Sequence, residues 1–308
     1  MQTRPCHVQS PRFHAKLFVG ALMAIVLTLA GGACSVPRVA GQAEANVQLS
    51  ACDKAMRRAT RRTQLATGTA FATRDLRFAM ADAAEHDWVD VAIQCPTRFE
   101  QGTLRSAQMQ WLAQQLAKRV QRNYTALIVT RLDGLTDNVL PGATLAQLAL
   151  SEDRVGFATE VLAGRRAVAA RTNGLDGSTA LAALSDDHKQ ASSELMSLAG
   201  NTQDLRRKVY ATQTLVDSPD TMVDPATGLS APTVAVLEMN CAREELATVQ
   251  QALPNVHIDD DAKANATLDN ELCQLSLLIA THAVTAFQMG YPSFDLALFS
   301  ATPPAAQS

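Results

Sequence analysis

The stretch that decides the fold is Thr144–Arg171, TLAQLALSEDRVGFATEVLAGRRAVAAR, together with Ser178–Leu198, STALAALSDDHKQASSELMSL. Both segments are rich in good helix formers and lack the β-branched alternation that is typical of strands. Thr144 is suited to cap the first segment, and Asn173-Gly174 and Gly200-Asn201 are suited to end the first and second segments. We therefore predict a helical hairpin.

A second hairpin is predicted further along the chain. One helix is expected over Ala231–Ala252 and another over Asp261–Met289, and the connection Asn201–Ser230 is expected to contain a helical stretch at Thr202–Leu215. Two helical hairpins joined by one long crossover are the connectivity of a ferritin-like four-helix bundle. The sequence therefore predicts an all-α fold with such a bundle over residues 144–290, and an irregular all-α domain is the alternative.

Additional helices are expected before the bundle, over residues 46–140. Pro96 should end one of them at Cys95, and Thr103–Arg122 has the apolar spacing of an amphipathic helix. We expect this N-terminal segment to pack on the bundle. Residues 291–308 are expected to form a C-terminal tail.

The beginning of the chain reads as an export signal. Residues 1–33 contain basic but no acidic residues, followed by an apolar run that ends in small residues directly before Cys34. This pattern resembles a bacterial lipoprotein signal, in which the cysteine becomes the lipidated first residue. We predict lipidation at Cys34 and a tether over residues 34–45. Cleavage after Ala45 and an uncleaved anchor helix are the alternatives.

Charge and location restrict the partners. Export with a lipid at Cys34 places the protein on the outer face of the cytoplasmic membrane, and cleavage near Ala45 would make it secreted. The whole chain carries a net charge of -3, and removal of a basic signal makes the mature chain more acidic. Binding of nucleic acid needs a basic face, so no nucleic-acid partner is expected; the membrane, through the lipid, is the expected contact.

Four cysteines remain in the mature chain beyond Cys34: Cys52, Cys95, Cys241 and Cys273. An even number outside the cytoplasm suggests two disulfides. If the second hairpin reverses around His257, then Cys241 and Cys273 lie at the same height and are expected to pair, which leaves Cys52 with Cys95. A zinc site made by these cysteines is disfavoured because no C-x-x-C pair occurs.

Residues 144–290 resemble ferritin-like proteins of the envelope of high-GC Gram-positive bacteria, a group with no assigned activity. The resemblance is carried by loose patterns in the predicted helices and the crossover: Glu152–Leu162, Asp187-His188-Lys189, Glu194-Leu195, Asp224-Pro225-Ala226 and Leu237-Glu238. It implies a ferritin-like bundle in an exported lipoprotein.

A ferritin-like fold raises the question of a di-iron site. Such sites take Glu-x-x-His pairs from two of the helices. Three residues before His188 is Ser185, and three before His282 is Ile279, so a complete site is not expected. His282, in the apolar stretch Leu277–Phe287, is expected to be a core histidine with one hydrogen bond.

A degenerate metal site remains as an alternative. Counted from a hairpin turn near Leu175, Glu160 lies one helical turn from His188, and Glu238 lies close to His188 across the crossover. These three side chains could converge and hold iron or manganese, and the competing interpretation is a solvated face or an internal ion pair.

No nucleophile elbow, zinc-protease or phosphate-loop motif occurs, so no catalytic residue is proposed. The main expectation is a lipid-anchored envelope protein with a binding or structural role and no cofactor, whose protein or small-molecule partner the sequence does not identify. The alternatives are an iron- or manganese-binding redox or iron-handling protein, and a protein that binds an apolar ligand between its helices.

Overall fold

The computed structural model describes residues 49–68, 73–173, 178–256 and 261–299. The predicted signal 1–33, the lipidation at Cys34 and the tether 34–45 lie outside these ranges. Within them, every helix is either too short or too polar to cross a bilayer.

The fold is all-α, as predicted, apart from one short antiparallel pair of strands. Ser178–Leu198 is a helix with the predicted bounds, and Thr144–Arg171 lies inside a slightly longer helix. The elements are α1 (Ala51–Thr67), α2 (Arg74–Gln94), α3 (Phe99–Val120), α4 (Gly142–Asn173), α5 (Ser178–Leu198), α6 (Gln213–Asp217), β1 (Thr221–Val223), β2 (Ser230–Pro232), α7 (Thr233–Ala252) and α8 (Ala262–Gln288).

The three N-terminal helices pack closely because their facing side chains are small. Alanines such as Ala59 and Ala84 are fully buried between them, and a Cβ on Gly102 would lie 2.5 Å from the backbone nitrogen of Ala92. The predicted Cys52–Cys95 disulfide is confirmed and joins the start of α1 to the end of α2, with a Cα–Cα distance of 5.1 Å. Helices α2 and α3 both contact α8.

Helices α4, α5, α7 and α8 surround the candidate site. Helix α4 packs against α5 and α7, and α7 packs against α8. The contact of α4 with α5 is close at Gly156, where a Cβ would lie 3.2 Å from the carbonyl oxygen of Ser185 and 3.2 Å from the Cβ of His188. Helices α5 and α8 are separated by a cleft.

The predicted helical stretch at Thr202–Leu215 is wrong, because only the short α6 is helical in this part of the crossover. The physical reason is a competing anchor. The hydroxyl of Tyr210 donates to Asp153 of α4 at 2.6 Å and accepts from the backbone N–H of Arg207 at 3.0 Å. These bonds hold the chain against α4 in an irregular conformation.

A buried carboxylate fixes the end of the crossover to α7. Asp224 accepts hydrogen bonds from the guanidinium of Arg243 at 2.9 Å, from the hydroxyl of Thr227 at 2.9 Å and from the backbone N–H of Ala226 at 2.9 Å. The hydroxyl of Tyr291 donates to it as well. We call these groups the Asp224 network.

The segment of residues 121–141 connects α3 to α4 without regular structure and lies over α5 and α8. Helix side chains satisfy its backbone donors: Val129 donates to the Thr281 hydroxyl at 2.9 Å, and Leu132 donates to Glu194 at 2.6 Å. Its Ile128 and Thr130 line the cleft between α5 and α8. The segment therefore forms one wall of that cleft.

Candidate metal centre

Six side chains of the kinds that bind metals meet in the interior of the four helices. Each belongs to a buried residue, and together they include three carboxylates, two imidazoles and a thiol. Helix α7 supplies three of them at spacings of three and four residues, which place them on one helix face. We call this group the central cluster: Glu152 of α4, His188 of α5, Glu238, Cys241 and Glu245 of α7, and His282 of α8.

Two carboxylates and two imidazoles of the central cluster alternate in a closed ring. His188 lies with Nδ1 2.5 Å from Glu152 Oε2 and with Nε2 2.8 Å from Glu238 Oε1. His282 lies with Nε2 3.0 Å from Glu152 Oε1 and with Nδ1 3.3 Å from Glu238 Oε2. Each carboxylate thus faces both imidazoles.

The two imidazole rings stack, with centroids 4.8 Å apart and planes inclined by 13°. Burial alone would lower the pKa of His188, but Glu238 and Glu152 outweigh it and raise this pKa to about 9. The pKa of His282 is raised well above its ordinary value for the same reason, with Glu152 the strongest opposing influence to burial. The two carboxylates therefore favour the charged imidazolium form of both rings.

The carboxylates of the ring respond in the opposite sense. Burial alone would raise the pKa of Glu152 and of Glu238, but the neighbouring imidazolium rings lower both pKa values to about 2. Two carboxylates then balance two imidazolium rings, as a buried ion-pair cluster requires. This charge balance matches the internal ion pair that the sequence offered as the competing interpretation for His188 and Glu238.

Glu245 and Cys241 stand outside that balance. Neither oxygen of Glu245 has a hydrogen-bond partner among the residues that the structure describes, and His282 Nε2 lies 3.7 Å from Oε2. Burial, reinforced by Glu152, raises the pKa of Glu245 well above its ordinary value. Burial and the nearby Glu245 likewise raise the pKa of the Cys241 thiol. A buried carboxyl group without a hydrogen-bond partner destabilises the fold. A bound ligand that contacts Glu245 would remove this cost.

Four members of the central cluster have the spacing of a ligand set. One donor atom each from Glu152, His188, Cys241 and His282 can be chosen so that all four atoms lie within 4.8 Å of one another. Imidazole, thiolate and carboxylate donors together suit a first-row transition metal. These residues could therefore hold a metal ion.

A cleft leads from the surface to the imidazoles. It has a volume of about 210 Å³ and is lined by His188 and His282 at its buried end and by the exposed Asp187 and Gln288 further out. Pockets for drug-sized ligands have volumes of roughly 300–1,000 Å³. The cleft is therefore better matched to an ion with its waters than to a large apolar molecule.

The structure brings together two of the three predicted metal ligands, His188 and Glu238, but not Glu160. The Glu160 side chain is 62% exposed and pairs with Lys189 at 2.7 Å. Glu152 takes its place, because His188 packs against the turn of α4 that holds Glu152 and Gly156. Glu160 lies about 12 Å further along the helix at 1.5 Å per residue.

The predicted Cys241–Cys273 disulfide is wrong, because Cys241 is a buried free cysteine. Its thiol belongs to the same compact group of donor atoms as the imidazole of His282. Cys273 precedes His282 by nine residues, which is about 13 Å along α8. Helices α7 and α8 therefore pair at a different height from the one expected for a reversal at His257, which lies outside the described residues.

Sequence reasoning missed Glu152, Cys241 and Glu245 as members of the central cluster and assigned His282 to the core. His282 is buried and hydrogen-bonded, as expected, but its partner is a site carboxylate. One signal was present in the sequence: Glu238-x-x-Cys241 has the three-residue spacing of a helical Glu-x-x-His pair, with a thiol in place of the imidazole. This spacing was not interpreted as a ligand pair because Cys241 was expected to form a disulfide with Cys273.

Comparison with known proteins finds no match to a family model, to a curated protein or to a solved structure.

Proposed function

We propose that this chain is a metal-binding protein that holds a divalent transition-metal ion between α4, α5, α7 and α8. The observation that carries the proposal is the buried carboxyl group of Glu245, which lacks a hydrogen-bond partner among the described residues and adjoins a ready ligand set. A cation bound there would give this carboxylate the partner that it lacks.

The excess of acidic groups supports the proposal. The ring of Glu152, His188, Glu238 and His282 is neutral as two carboxylates with two imidazolium rings. Glu245 and Cys241 add two further acidic groups, whose raised pKa values favour the neutral forms and which a bound cation would help to ionise. Ion pairing within the ring explains two of the three carboxyl groups and leaves Glu245 unexplained. A purely structural role therefore accounts for the ring but not for the whole central cluster.

Metal analysis of the purified full-length chain tests the proposal. The chain is exposed to Mn²⁺, Fe²⁺, Co²⁺ or Zn²⁺ with Cys241 kept reduced, dialysed and analysed for bound metal. We expect one ion per chain in the wild type and its loss in His188→Ala and His282→Ala. His86→Ala is the matched control, because His86 is exposed and lies outside the central cluster.

Thermal unfolding gives a second readout of the same binding. A ligand that binds only the folded chain stabilises it by about 2.7 kcal/mol at a free concentration of 100 times its Kd. The added metal should raise the Tm of the wild type and of His86→Ala and leave that of the two site variants unchanged. A wild type that binds none of the four metals, or site variants that bind as well as His86→Ala, would refute the proposal.

The location is the second part of the proposal: the protein acts on the outer face of the cytoplasmic membrane, attached by a lipid on Cys34. The signal-like residues 1–33 support export, and the Cys52–Cys95 disulfide agrees with an oxidising compartment. The protein would then meet metal ions outside the cytoplasm.

Labelling cells with a radioactive fatty acid tests the anchor. The label should appear on the wild-type protein and be absent from a Cys34→Ala variant, whereas Cys241→Ala should keep it because Cys241 is buried. An unlabelled mature protein that starts at Asn46 would show cleavage after Ala45 and secretion instead.

A further inference from the structure

The two carboxylates of the ring are not equivalent with respect to the imidazole nitrogens. Glu152 faces Nδ1 of His188 and Nε2 of His282. Glu238 faces the opposite nitrogens, Nε2 of His188 and Nδ1 of His282. A metal ion on one side of the ring would therefore use one nitrogen from each imidazole, and the carboxylate on the other side would face both remaining nitrogens.

The thiol and the unpartnered carboxyl identify the metal side. Cys241 shares a compact donor set with Glu152, His188 and His282, and Glu238 is not a member of that set. Glu245 lies 3.7 Å from Nε2 of His282, the nitrogen that faces Glu152. All the groups left over from the ring are thus associated with the Glu152 side.

On the basis of the proposed metal binding, we infer that the central cluster is a thiolate-containing site for a single zinc-like ion, with Glu152, His188, Cys241 and His282 as ligands. Glu238 is the positioning residue, because it hydrogen-bonds Nε2 of His188 and forms an ion pair with Nδ1 of His282 at 3.3 Å, and so holds both rings. Carboxylates in this outer position are a regular companion of metal-binding histidines. Glu245 lies beside the ion as a further carboxylate.

The donor set selects the class of metal. A thiolate with two imidazoles and one carboxylate suits Zn²⁺ and similar ions, whereas Mn²⁺ prefers oxygen donors. Donors around a four-coordinate zinc ion lie roughly 3.3–3.6 Å apart. The most distant donors, which lie within 4.8 Å of one another, must therefore move closer, and Glu152 must move away from Nδ1 of His188, which lies 2.5 Å from it. On binding, Cys241 and the metal-facing imidazole nitrogens give up their protons to solvent, and bonds from sulfur and nitrogen to the metal replace them.

Cobalt spectroscopy on the full-length chain tests the thiolate. Co²⁺ is added under anaerobic conditions that keep Cys241 reduced. The wild type is expected to show a near-ultraviolet sulfur-to-cobalt charge-transfer band and the intense visible bands of a four-coordinate ion, and added Zn²⁺ should remove both. Cys241→Ser should lose the near-ultraviolet band. Cobalt that binds to the wild type without this band overturns the inference and leaves metal binding intact; absence of cobalt and zinc binding overturns both.

The side of the ring is tested by a matched pair of variants, Glu152→Gln and Glu238→Gln. Both residues are fully buried and face the same two imidazoles, so they should disturb the metal-free fold to a similar extent, which urea unfolding will check. Glu238→Gln should weaken Zn²⁺ binding about 10–100-fold and keep the charge-transfer band. Glu152→Gln should weaken binding more. A larger loss for Glu238→Gln would place the metal on the opposite side and refute the assignment.

Discussion

Helix α7 takes part in two buried charge networks that differ in how their carboxylates are satisfied. In the Asp224 network, one carboxylate faces one guanidinium, from Arg243, and accepts further hydrogen bonds from Thr227 and Ala226. In the central cluster, Glu245 has no hydrogen-bond partner among the described residues. Both oxygens of the Asp224 carboxylate are satisfied by neighbouring donors, although Nε of Arg243 has no hydrogen-bond partner among the described residues. Neither oxygen of Glu245 is satisfied in this way. Burial of a charged group is therefore not by itself the mark of a site; the distinguishing feature of Glu245 is that both of its oxygens lack a hydrogen-bond partner among the described residues.

The largest effect on stability is expected from breaking the Asp224 network. Arg243→Met leaves the Asp224 carboxylate buried without its cation and should lower the free energy of unfolding by about 3–5 kcal/mol. Urea unfolding at pH 7 measures it. Arg206→Met is the control, since Arg206 pairs with Asp204 at the surface and should change stability by less than about 1 kcal/mol. Equal effects of the two variants would show that the buried Arg243–Asp224 pair stabilises the fold no more than a surface pair does.

Removing the Glu245 carboxyl group from the central cluster should have the opposite effect and stabilise the metal-free chain. Glu245→Met removes a buried carboxyl group that lacks a hydrogen bond, so the metal-free chain should gain about 1–3 kcal/mol. Glu271→Met is the matched control, because Glu271 accepts hydrogen bonds from the backbone N–H groups of Val139 and Leu140 and its loss should destabilise. Unfolding in the presence of a chelator measures both. If Glu245→Met also destabilises the metal-free chain, the contrast between the networks fails.

The free energy of unfolding of the metal-free chain should depend on pH in a way that reflects the ring of two carboxylates and two imidazoles. The pKa of His188 rises from 6.5 to about 9 on folding, so its stabilising contribution is complete below pH 6.5 and is lost as the pH rises through 9. The pKa values of Glu152 and Glu238 fall from 4.5 to about 2, so their contribution is complete above pH 4.5 and is lost as the pH falls through 2. The ring therefore contributes most between about pH 4.5 and 6.5.

Urea unfolding from pH 3 to pH 10 with a chelator checks this dependence. In the wild type, the free energy of unfolding should decline between pH 6.5 and 9 as the ring loses its protons. A double variant, His188→Gln with His282→Gln, should lack this part of the decline. Arg243→Met should keep that part, because the Asp224 network is separate. A double variant with the same alkaline decline as the wild type would show that the imidazoles are not held charged by the carboxylates.

The smallest effect is expected at the predicted ligand that the structure places elsewhere. Glu160→Gln removes an exposed pair with Lys189, so it should change the free energy of unfolding by less than about 1 kcal/mol and leave metal binding unchanged. Comparing its metal content with that of Glu152→Gln tests which carboxylate of α4 belongs to the site. Loss of metal in the Glu160→Gln variant alone would restore the ligand predicted from the sequence.

The helices could be predicted because their signals are local. Helix breakers lie next to the ends that they determine, and the bounds predicted for α5 are the observed ones. The predicted cap Thr144 was wrong, because α4 begins two residues earlier, at Gly142. The helix predicted in the crossover was wrong because a long-range hydrogen bond, from Tyr210 to Asp153, outweighs the local helix preference of residues 202–212.

The central cluster could be predicted only in part, for a reason of geometry. Heights in a helical hairpin were counted from an assumed reversal point, and a small error in that point displaces a partner along the facing helix. In α4, Glu160 was predicted as the partner of His188, whereas the partner is Glu152. In α8, Cys241 was predicted to face Cys273, whereas it lies near His282. His188 was found because α5 contains no other histidine, and Glu238 was found although α7 also contains Glu244 and Glu245. Packing between helices, which determines the register, is not encoded locally.

Anomalous X-ray scattering tests the central claim most directly. Crystals of the zinc-loaded full-length protein, measured on both sides of the zinc absorption edge, should show one strong peak enclosed by Glu152, His188, Cys241 and His282. A zinc-loaded crystal without a peak inside the four helices, or with zinc only on surface residues, would contradict the account and leave the central cluster as a buried ion-pair network.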